Sequence, residues 1–262
     1  MKQFLSLLII CLSFTSCVKQ TIDIFDGDNP DDCPVDVDIT ATTLTPNTGE
    51  DIILTAKPAN VGYNWTGPSG SGIRELFGNN IFNIYAIKIK NSGWYYCQSV
   101  TPGCNPVSDS IYIDVKYKQG NPPCALTNNH YTGTSMPDVN APNVRKSFDE
   151  TRSSVLVDVS GGWGSPTLRI IFNPSIGNSE PKDGVYTTID GQSFDSDDDN
   201  DAIFVSCLYS NVYMACRSGQ SVYISHTSGK LTAAFCSLKV SGDIGWGPIV
   251  ADLTGQVTEN QF

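Results

Sequence analysis

Short segments rich in β-branched and aromatic residues recur along this sequence, and clusters of Gly, Pro, Asn, Asp and Ser separate them. In the segment DSIYIDVKY (109–117), Ile111, Ile113 and Val115 stand two residues apart, which places them on one face of a strand. Apolar spacing at the helical period is nearly absent from the sequence. The pattern therefore predicts an all-β protein.

The strand-like segments fall into two groups on either side of KQGNPPC (118–124), a short stretch rich in Pro and Gly. A chain of 262 residues has room for two domains of modest size. We therefore expect one β-domain over 34–117, a linker over 118–124, and a second antiparallel β-sandwich or barrel over 125–262.

The pattern FxIxxIxxxNxGxYxC (82–97) resembles the corner between strands E and F of immunoglobulin-like domains. Tyr95, two residues before Cys97, fits the tyrosine corner of that family, and Trp65 fits its buried strand-C tryptophan. The resemblance implies an immunoglobulin-like β-sandwich over 34–117.

The amino terminus has the features of a cleaved secretory signal over residues 1–16. Lys2 precedes the apolar run FLSLLIICLSF (4–14), which is too short to span a bilayer. The following TSC (15–17) resembles the lipobox of bacterial, Gram-negative lipoproteins, and this resemblance implies that Cys17 carries acyl chains such as palmitate. The alternative is an ordinary cleaved signal with an incidental cysteine.

An acidic stretch follows, VKQTIDIFDGDNPDDC (18–33), and it contains too little apolar surface to fold. We interpret residues 17–33 as a tether between the lipid and the domains. The resemblance then implies an outer-membrane lipoprotein, on the cell surface or on the periplasmic face. GVYTT (184–188) and SVYISHTSGKLTAAFCSL (221–238) resemble poorly described β-domains of secreted lipoproteins, which bring no known activity with them.

The charge of the chain excludes one class of partner. Its 27 acidic and 16 basic residues give a formal net charge of −11, so nucleic acid and anionic headgroups would be repelled. The membrane is therefore expected to be reached through the lipid anchor alone.

The chain has nine cysteines, and their wide spacing, without CxxC and with only two histidines, favours disulfides over zinc. Strand B offers Leu54 or Ala56 where the immunoglobulin family has the partner of Cys97, so we expect a bond from Cys97 to Cys104 across the next turn. Cys33, in the tether, is expected to stay unpaired.

Two further pairs are expected in the second domain. Cys207 and Cys216 bracket one hairpin, which makes them a candidate pair. Cys124 and Cys236 would then join the start of the domain to a late strand.

The sequence offers no nucleophile motif beside a histidine. His130 and His226 are its two histidines, and we expect each to be a surface residue, so that the protein is not an enzyme.

One acidic run resembles the start of a calcium loop, with alternate carboxylates at Asp195, Asp197, Asp199 and Asp201. It lacks the glycine and the glutamate that an EF-hand needs at later positions. The alternative, which we favour, is a solvated acidic loop, and no other cofactor is expected.

The phrase Gly-Trp-Gly occurs twice, around Trp163 and around Trp246, each time between strands. Glycine neighbours leave an indole uncovered, so the two rings are candidates for a contact surface with a ligand or partner. The alternative, which we favour, is that each ring folds back and plugs an open end of the β-domain.

These observations lead to a non-enzymatic, lipid-anchored protein of the cell envelope that acts as a binding or scaffold subunit, for instance of an outer-membrane complex. Its partners would be other envelope proteins. A surface glycan-binding lipoprotein of a starch-utilisation-type uptake system is the alternative, and a secreted hydrolase is the third hypothesis.

The lipid anchor is directly testable. Cys17→Ser is expected to leave either an unlipidated protein in the soluble fraction or an unprocessed precursor, because the acylated thiol is gone. Metabolic labelling with palmitate checks this, and label that persists in the variant would contradict lipidation at Cys17.

Overall fold

The computed structural model describes residues 33–34, 36–68, 76–134, 136–140, 142–191, 194, 201–243 and 247–260. Strand is the dominant element across these ranges, which confirms the all-β prediction. No helix in the described residues is long and apolar enough to cross a membrane.

The strands of the first half belong to two sheets that share one buried core. They are β1 (Asp38–Ala41), β2 (Ile52–Lys57), β3 (Gly62–Thr66), β4 (Leu76–Gly78), β5 (Ile81–Ile84), β6 (Gly93–Val100) and β7 (Ser108–Ile113). One sheet has the order β1-β2-β5 and the other the order β4-β3-β6-β7. This is the strand arrangement of an immunoglobulin-like sandwich.

The side chains that carried the resemblance occupy the expected places in this core. The hydroxyl of Tyr95 donates to the backbone oxygen of Asn91 at 2.9 Å, which is the tyrosine-corner bond. Trp65 is buried, stacks on Phe82 with ring centroids 5.7 Å apart, and donates its ring N–H to the oxygen of Asn79 at 3.1 Å. The corner therefore forms as it does in the family.

The strands of the second half form one large sheet around a separate core. They are β8 (His130–Gly133), β9 (Val139–Asn140), β10 (Asn143–Asp149), β11 (Ser154–Ser160), β12 (Thr167–Phe172), β13 (Gly184–Thr188), β14 (Ala202–Tyr209), β15 (Val212–Cys216), β16 (Ser221–Thr227), β17 (Lys230–Asp243) and β18 (Pro248–Thr258).

The path of this sheet is β10-β11-β12-β14-β13-β16-β17-β18-β8-β9, and β15 bridges β14 to β17. The pairs are antiparallel, apart from β13 with β14. Beyond β18, the backbone N–H of Asn260 donates to the oxygen of Val144 on β10 at 3.1 Å. The segment after β18, an inner strand of this path, thus reaches the edge strand β10, as in a sandwich or barrel that nearly closes.

The segment expected to be a linker, 118–124, begins in contact with the second half. Tyr117 stacks on Tyr186 with ring centroids 5.3 Å apart and is buried in the second core. The oxygen of Lys118 accepts from Val185 on β13 at 2.7 Å. Backbone pairing and ring stacking therefore hold the start of this stretch against β13.

The described residues contain two disulfides, Cys33–Cys104 and Cys124–Cys236. The second confirms one expected pair. The expected Cys97–Cys104 bond and the unpaired Cys33 are wrong, because the register of β6 and β7 places Asp109, and not Cys104, opposite Cys97. Cys97 points into the core, whereas Cys104 lies in the β6–β7 turn and is free to meet Cys33.

The expected pairing of Cys207 with Cys216 is also wrong, since both are free thiols. Met214 stands opposite Cys207, so the two cysteines are diagonal neighbours, and diagonal side chains lie about 7–8 Å apart. That separation is too long for a disulfide.

The three buried thiols give a testable pattern of reactivity. Burial raises the pKa of Cys97 and Cys207 to about 12 and that of Cys216 to about 11, so each stays a thiol at neutral pH. For a chain expressed from residue 18 in an oxidising compartment, we expect alkylation of none of the three in the folded protein and of all three after unfolding without reduction.

Peptide mapping by mass spectrometry locates the labels. Disulfide-linked cysteines are the internal control, because they label only after reduction. Alkylation of Cys33 or Cys236 before reduction would contradict the pairing.

Candidate functional site

Trp163 lies at the tip of the loop between β11 and β12. The residue is fully exposed, with a relative solvent-accessible surface of 106%. The N–H of Ser165 donates to the oxygen of Gly162 at 3.2 Å and closes a β-turn around it. Gly164 has a φ of +78° at the third position of this turn, a conformation that glycine adopts without strain. The interpretation that Trp163 plugs the β-domain is therefore wrong.

Both ends of this loop are fixed to neighbouring strands. A Cβ at Gly161 would come within 2.3 Å of the side chain of Val139 on β9, so the backbone packs directly on that strand. At the other end, the hydroxyl of the buried Tyr131 on β8 donates to the oxygen of Pro166. Contacts with β8 and β9 therefore hold both ends of the loop in place.

The strand positions next to the loop form a row across the sheet. Register pairs Ser160 with Thr167, Thr167 with Leu208, and Leu208 with Tyr213. Leu208 and Tyr213 remain 47% and 46% exposed. Opposite residues share one face of a sheet, so these side chains stand side by side.

The adjacent row on the same face is polar. Arg169 on β12 donates through Nε to the Asp158 carboxylate on β11 at 2.7 Å. The two rows line a groove of about 420 Å³. We call Trp163, Thr167, Arg169, Leu208 and Tyr213 the Trp163 surface. It combines tryptophan, tyrosine and arginine, the residues most enriched at the energetic centres of protein interfaces.

The second glycine-flanked tryptophan, Trp246, lies outside the described residues. The strands on either side of this Gly-Trp-Gly segment are β17 and β18, and their last described pair is Asp243 opposite Pro248. A Cβ at Gly242 would meet the backbone of Tyr213, so this part of β17 packs directly on β15.

The proposed calcium ligands Asp195, Asp197 and Asp199 also lie outside the described residues. Asp201 precedes β14, is 7% exposed, and accepts at its backbone oxygen from Thr187 at 2.9 Å. Across the described ranges, no group of three or more metal-ligating side chains lies together.

A charged cluster surrounds His226 on β16. Its Nδ1 lies 2.5 Å from the Asp183 carboxylate and its Nε2 lies 3.0 Å from that of Glu180. Glu180 also accepts from the ammonium group of Lys146 on β10 at 2.6 Å, and Lys146 reaches Glu259 at 3.4 Å. The cluster ties together segments that are far apart in the sequence.

An ionised carboxylate can only accept, so both contacts are hydrogen bonds when His226 is an imidazolium, whose two ring nitrogens both donate. Burial lowers the pKa of His226, but the hydrogen bonds that the ring donates to Asp183 and Glu180, with the charges of these carboxylates, outweigh it and hold the pKa above its ordinary value. A ring with both nitrogens engaged has no free site for a substrate proton. His130 lies apart on β8, with Nε2 3.8 Å from the Asp138 carboxylate.

The sequence did not reveal the residues that accompany Trp163 on its surface, nor the carboxylates that contact His226. Leu208 ends the run AIFVSCL (202–208), which is apolar apart from Ser206 and gives no sign of where burial stops. In β15 the exposed Tyr213 is followed by the buried Met214, and strand alternation was the available signal that Tyr213 faces outward. Nothing local links His226 to Glu180, 46 residues away.

No protein-family model and no curated protein matches the sequence. Among solved structures, a crystal structure of murine CEACAM1b has 10% identity and a TM-score of 0.27, with 86% of this chain and 99% of that chain covered. Mouse coronavirus receptor-binding domain complexed with its murine receptor has 9% identity and the same TM-score, with 86% and 96% covered. At these scores the likeness extends to no function.

The His226 cluster predicts a pH-dependent contribution to stability. A histidine with a raised folded-state pKa stabilises the fold below its ordinary pKa of about 6.5 and loses that contribution as pH rises through the raised value. We expect His226→Gln to lower the free energy of unfolding more at about pH 6 than at about pH 9, by less than about 1 kcal/mol because the groups are partly exposed.

Denaturant unfolding at both pH values measures this difference. His130→Gln is the matched control, because it removes a histidine outside the cluster. An equal loss at the two pH values would contradict an imidazolium at position 226.

Proposed function

We propose that this protein is a non-enzymatic recognition subunit of the bacterial cell envelope, held to the outer membrane by lipid on Cys17. Its second half binds another envelope protein through the Trp163 surface. The full exposure of Trp163 is the observation that carries this proposal. Hydration of an exposed indole is unfavourable, so a partner that covers the ring would gain the hydrophobic free energy of burying it.

The chemistry around Trp163 supports a protein partner. The few interface residues whose truncation costs about 2 kcal/mol or more are enriched in tryptophan, tyrosine and arginine. Trp163, Tyr213 and Arg169 supply all three, and Leu208 adds exposed apolar area beside Tyr213. The anchored loop lowers the ordering cost of binding, because fewer backbone conformations are lost.

The position of the tether supports presentation of this surface away from the membrane. Cys33 ends the tether and is bonded to Cys104, at the turn end of the β6–β7 hairpin. The chain leaves for the second half from the other end, where Gly93 pairs with Ile113. At about 3.3 Å per residue, the strand between these ends spans about 20 Å.

The His226 cluster supports a binding role rather than a catalytic one. Its only titratable imidazole is held between two carboxylates, and such an ion-paired ring stabilises the packing of β16 against the segment 180–183. A secreted hydrolase that used His226 as its general base would need a ring nitrogen free to take a proton, which this ring does not provide.

The proposal predicts that Trp163→Ala separates binding from folding. The variant is expected to keep the melting temperature of the wild type, because the ring covers no core, and to lose the protein that co-purifies stoichiometrically from native membranes. Tagged wild type and variant are compared by purification and calorimetry. Tyr85→Ala, which removes an exposed ring in the first half, is the control.

A partner retained in full by Trp163→Ala would contradict the proposal. So would a variant destabilised by several kcal/mol, since that result means the ring is part of the core.

A further inference from the structure

The outer face of β3, β6 and β7 in the first half carries exposed aromatic rings. Strand alternation turns Tyr95 and Cys97 inward and Trp94 and Tyr96 outward. Trp94 and Tyr96 are each 50% exposed, and Tyr112 on β7 is 46% exposed. The inward residues complete the sandwich core, so the outward rings are not needed to build it.

Two of these rings are already ordered against each other. Trp94 stands opposite Tyr112, and the rings meet edge to face with centroids 5.4 Å apart. Tyr96 stands two residues along the same strand, about 7 Å away. The three rings thus lie near one another on the outer face of this sheet, where they form an aromatic platform.

Hydrogen-bonding groups continue the platform along the same face. Asn64 on β3 stands opposite Gln98 on β6, and Gln98 stands opposite Ser108 on β7. Within the described residues, neither amide side chain makes a hydrogen bond. Each amide offers both donors and an acceptor to a ligand.

The face is also uncharged. Its outward positions on β3, β6 and β7 hold glycine, valine, hydroxyl, amide and aromatic side chains, and no charged residue lies among these described positions. The chain as a whole has a net charge of −11. A face without charged side chains offers no ion-pair partner, and the net negative charge of the chain repels anions, so the face favours a neutral ligand over an anionic one.

We propose that this face, which we call the Trp94 face, is a binding site for a neutral, hydroxyl-rich oligosaccharide chain. The rings present flat apolar area to the carbon faces of sugar rings, while Asn64 and Gln98 exchange hydrogen bonds with hydroxyl groups. A sheet face is open at both ends, so it accepts a segment of a longer chain rather than a terminal sugar.

A second copy of this chain is the competing occupant of the face, and the observations favour the sugar. Two chains of charge −11 repel each other at low ionic strength. Burial of Asn64 and Gln98 against an identical face would also require each amide to find a partner, or it would cost free energy. Sugar hydroxyls are both donors and acceptors and meet that need.

Affinity electrophoresis tests the site, with soluble starch, dextran or galactomannan cast into native gels and polygalacturonate as the charged comparison. We expect retardation of the wild type by at least one neutral polysaccharide and not by polygalacturonate. Trp94→Ala and Tyr112→Ala should each weaken that binding by about tenfold or more, with the melting temperature retained.

Two controls separate this site from the Trp163 surface. Tyr85→Ala and Trp163→Ala each remove an exposed ring outside the Trp94 face and should bind polysaccharide as the wild type does. Absence of retardation in every neutral polysaccharide would overturn the proposal. A self-association that Trp94→Ala abolishes would overturn it in favour of a dimer interface.

Discussion

The hydrogen-bond register of β11, β12, β14 and β15 determines what the second half displays. A shift of one residue would turn every side chain to the other face. In the observed register, Leu208 and Tyr213 reach the hairpin end of the sheet, beside the loop that carries Trp163. The same strands bury their central residues, such as Ile170 and Val205, in the core. Core packing and the exposed surface therefore depend on one register, which fixes the surface as firmly as the core.

The two disulfides fix the segments that precede the strands of each half. Cys124–Cys236 ties the start of the second half to β17, while Tyr117 and Lys118 dock on β13. Cys33–Cys104 brings the end of the acidic stretch to the first sandwich. With the proposed lipid at Cys17, the chain would be held at one end and would present its second half at the other.

The sequence predicted those features whose signal is local. The tyrosine corner was recognisable because Tyr95, Asn91 and Cys97 lie within one turn and one strand, and the family spaces them in the same way. Disulfide pairing was mispredicted, because it depends on which residue stands opposite Cys97, and that register is a property of the whole sheet. The exposure of Trp163 was left open by its sequence, since glycine neighbours suit both a plug and a display loop. Only the anchoring of the loop to β8 and β9 decides between them.

Site-specific photo-cross-linking in intact cells tests the central claim most directly. A photoreactive side chain at position 163 lies on the Trp163 surface, and one at position 85 is also exposed, on the first half. The account predicts one discrete protein adduct from position 163 that is lost when Tyr213→Ala is added, and no such adduct from position 85. The absence of an adduct from position 163, or the same adduct from both positions, would contradict it.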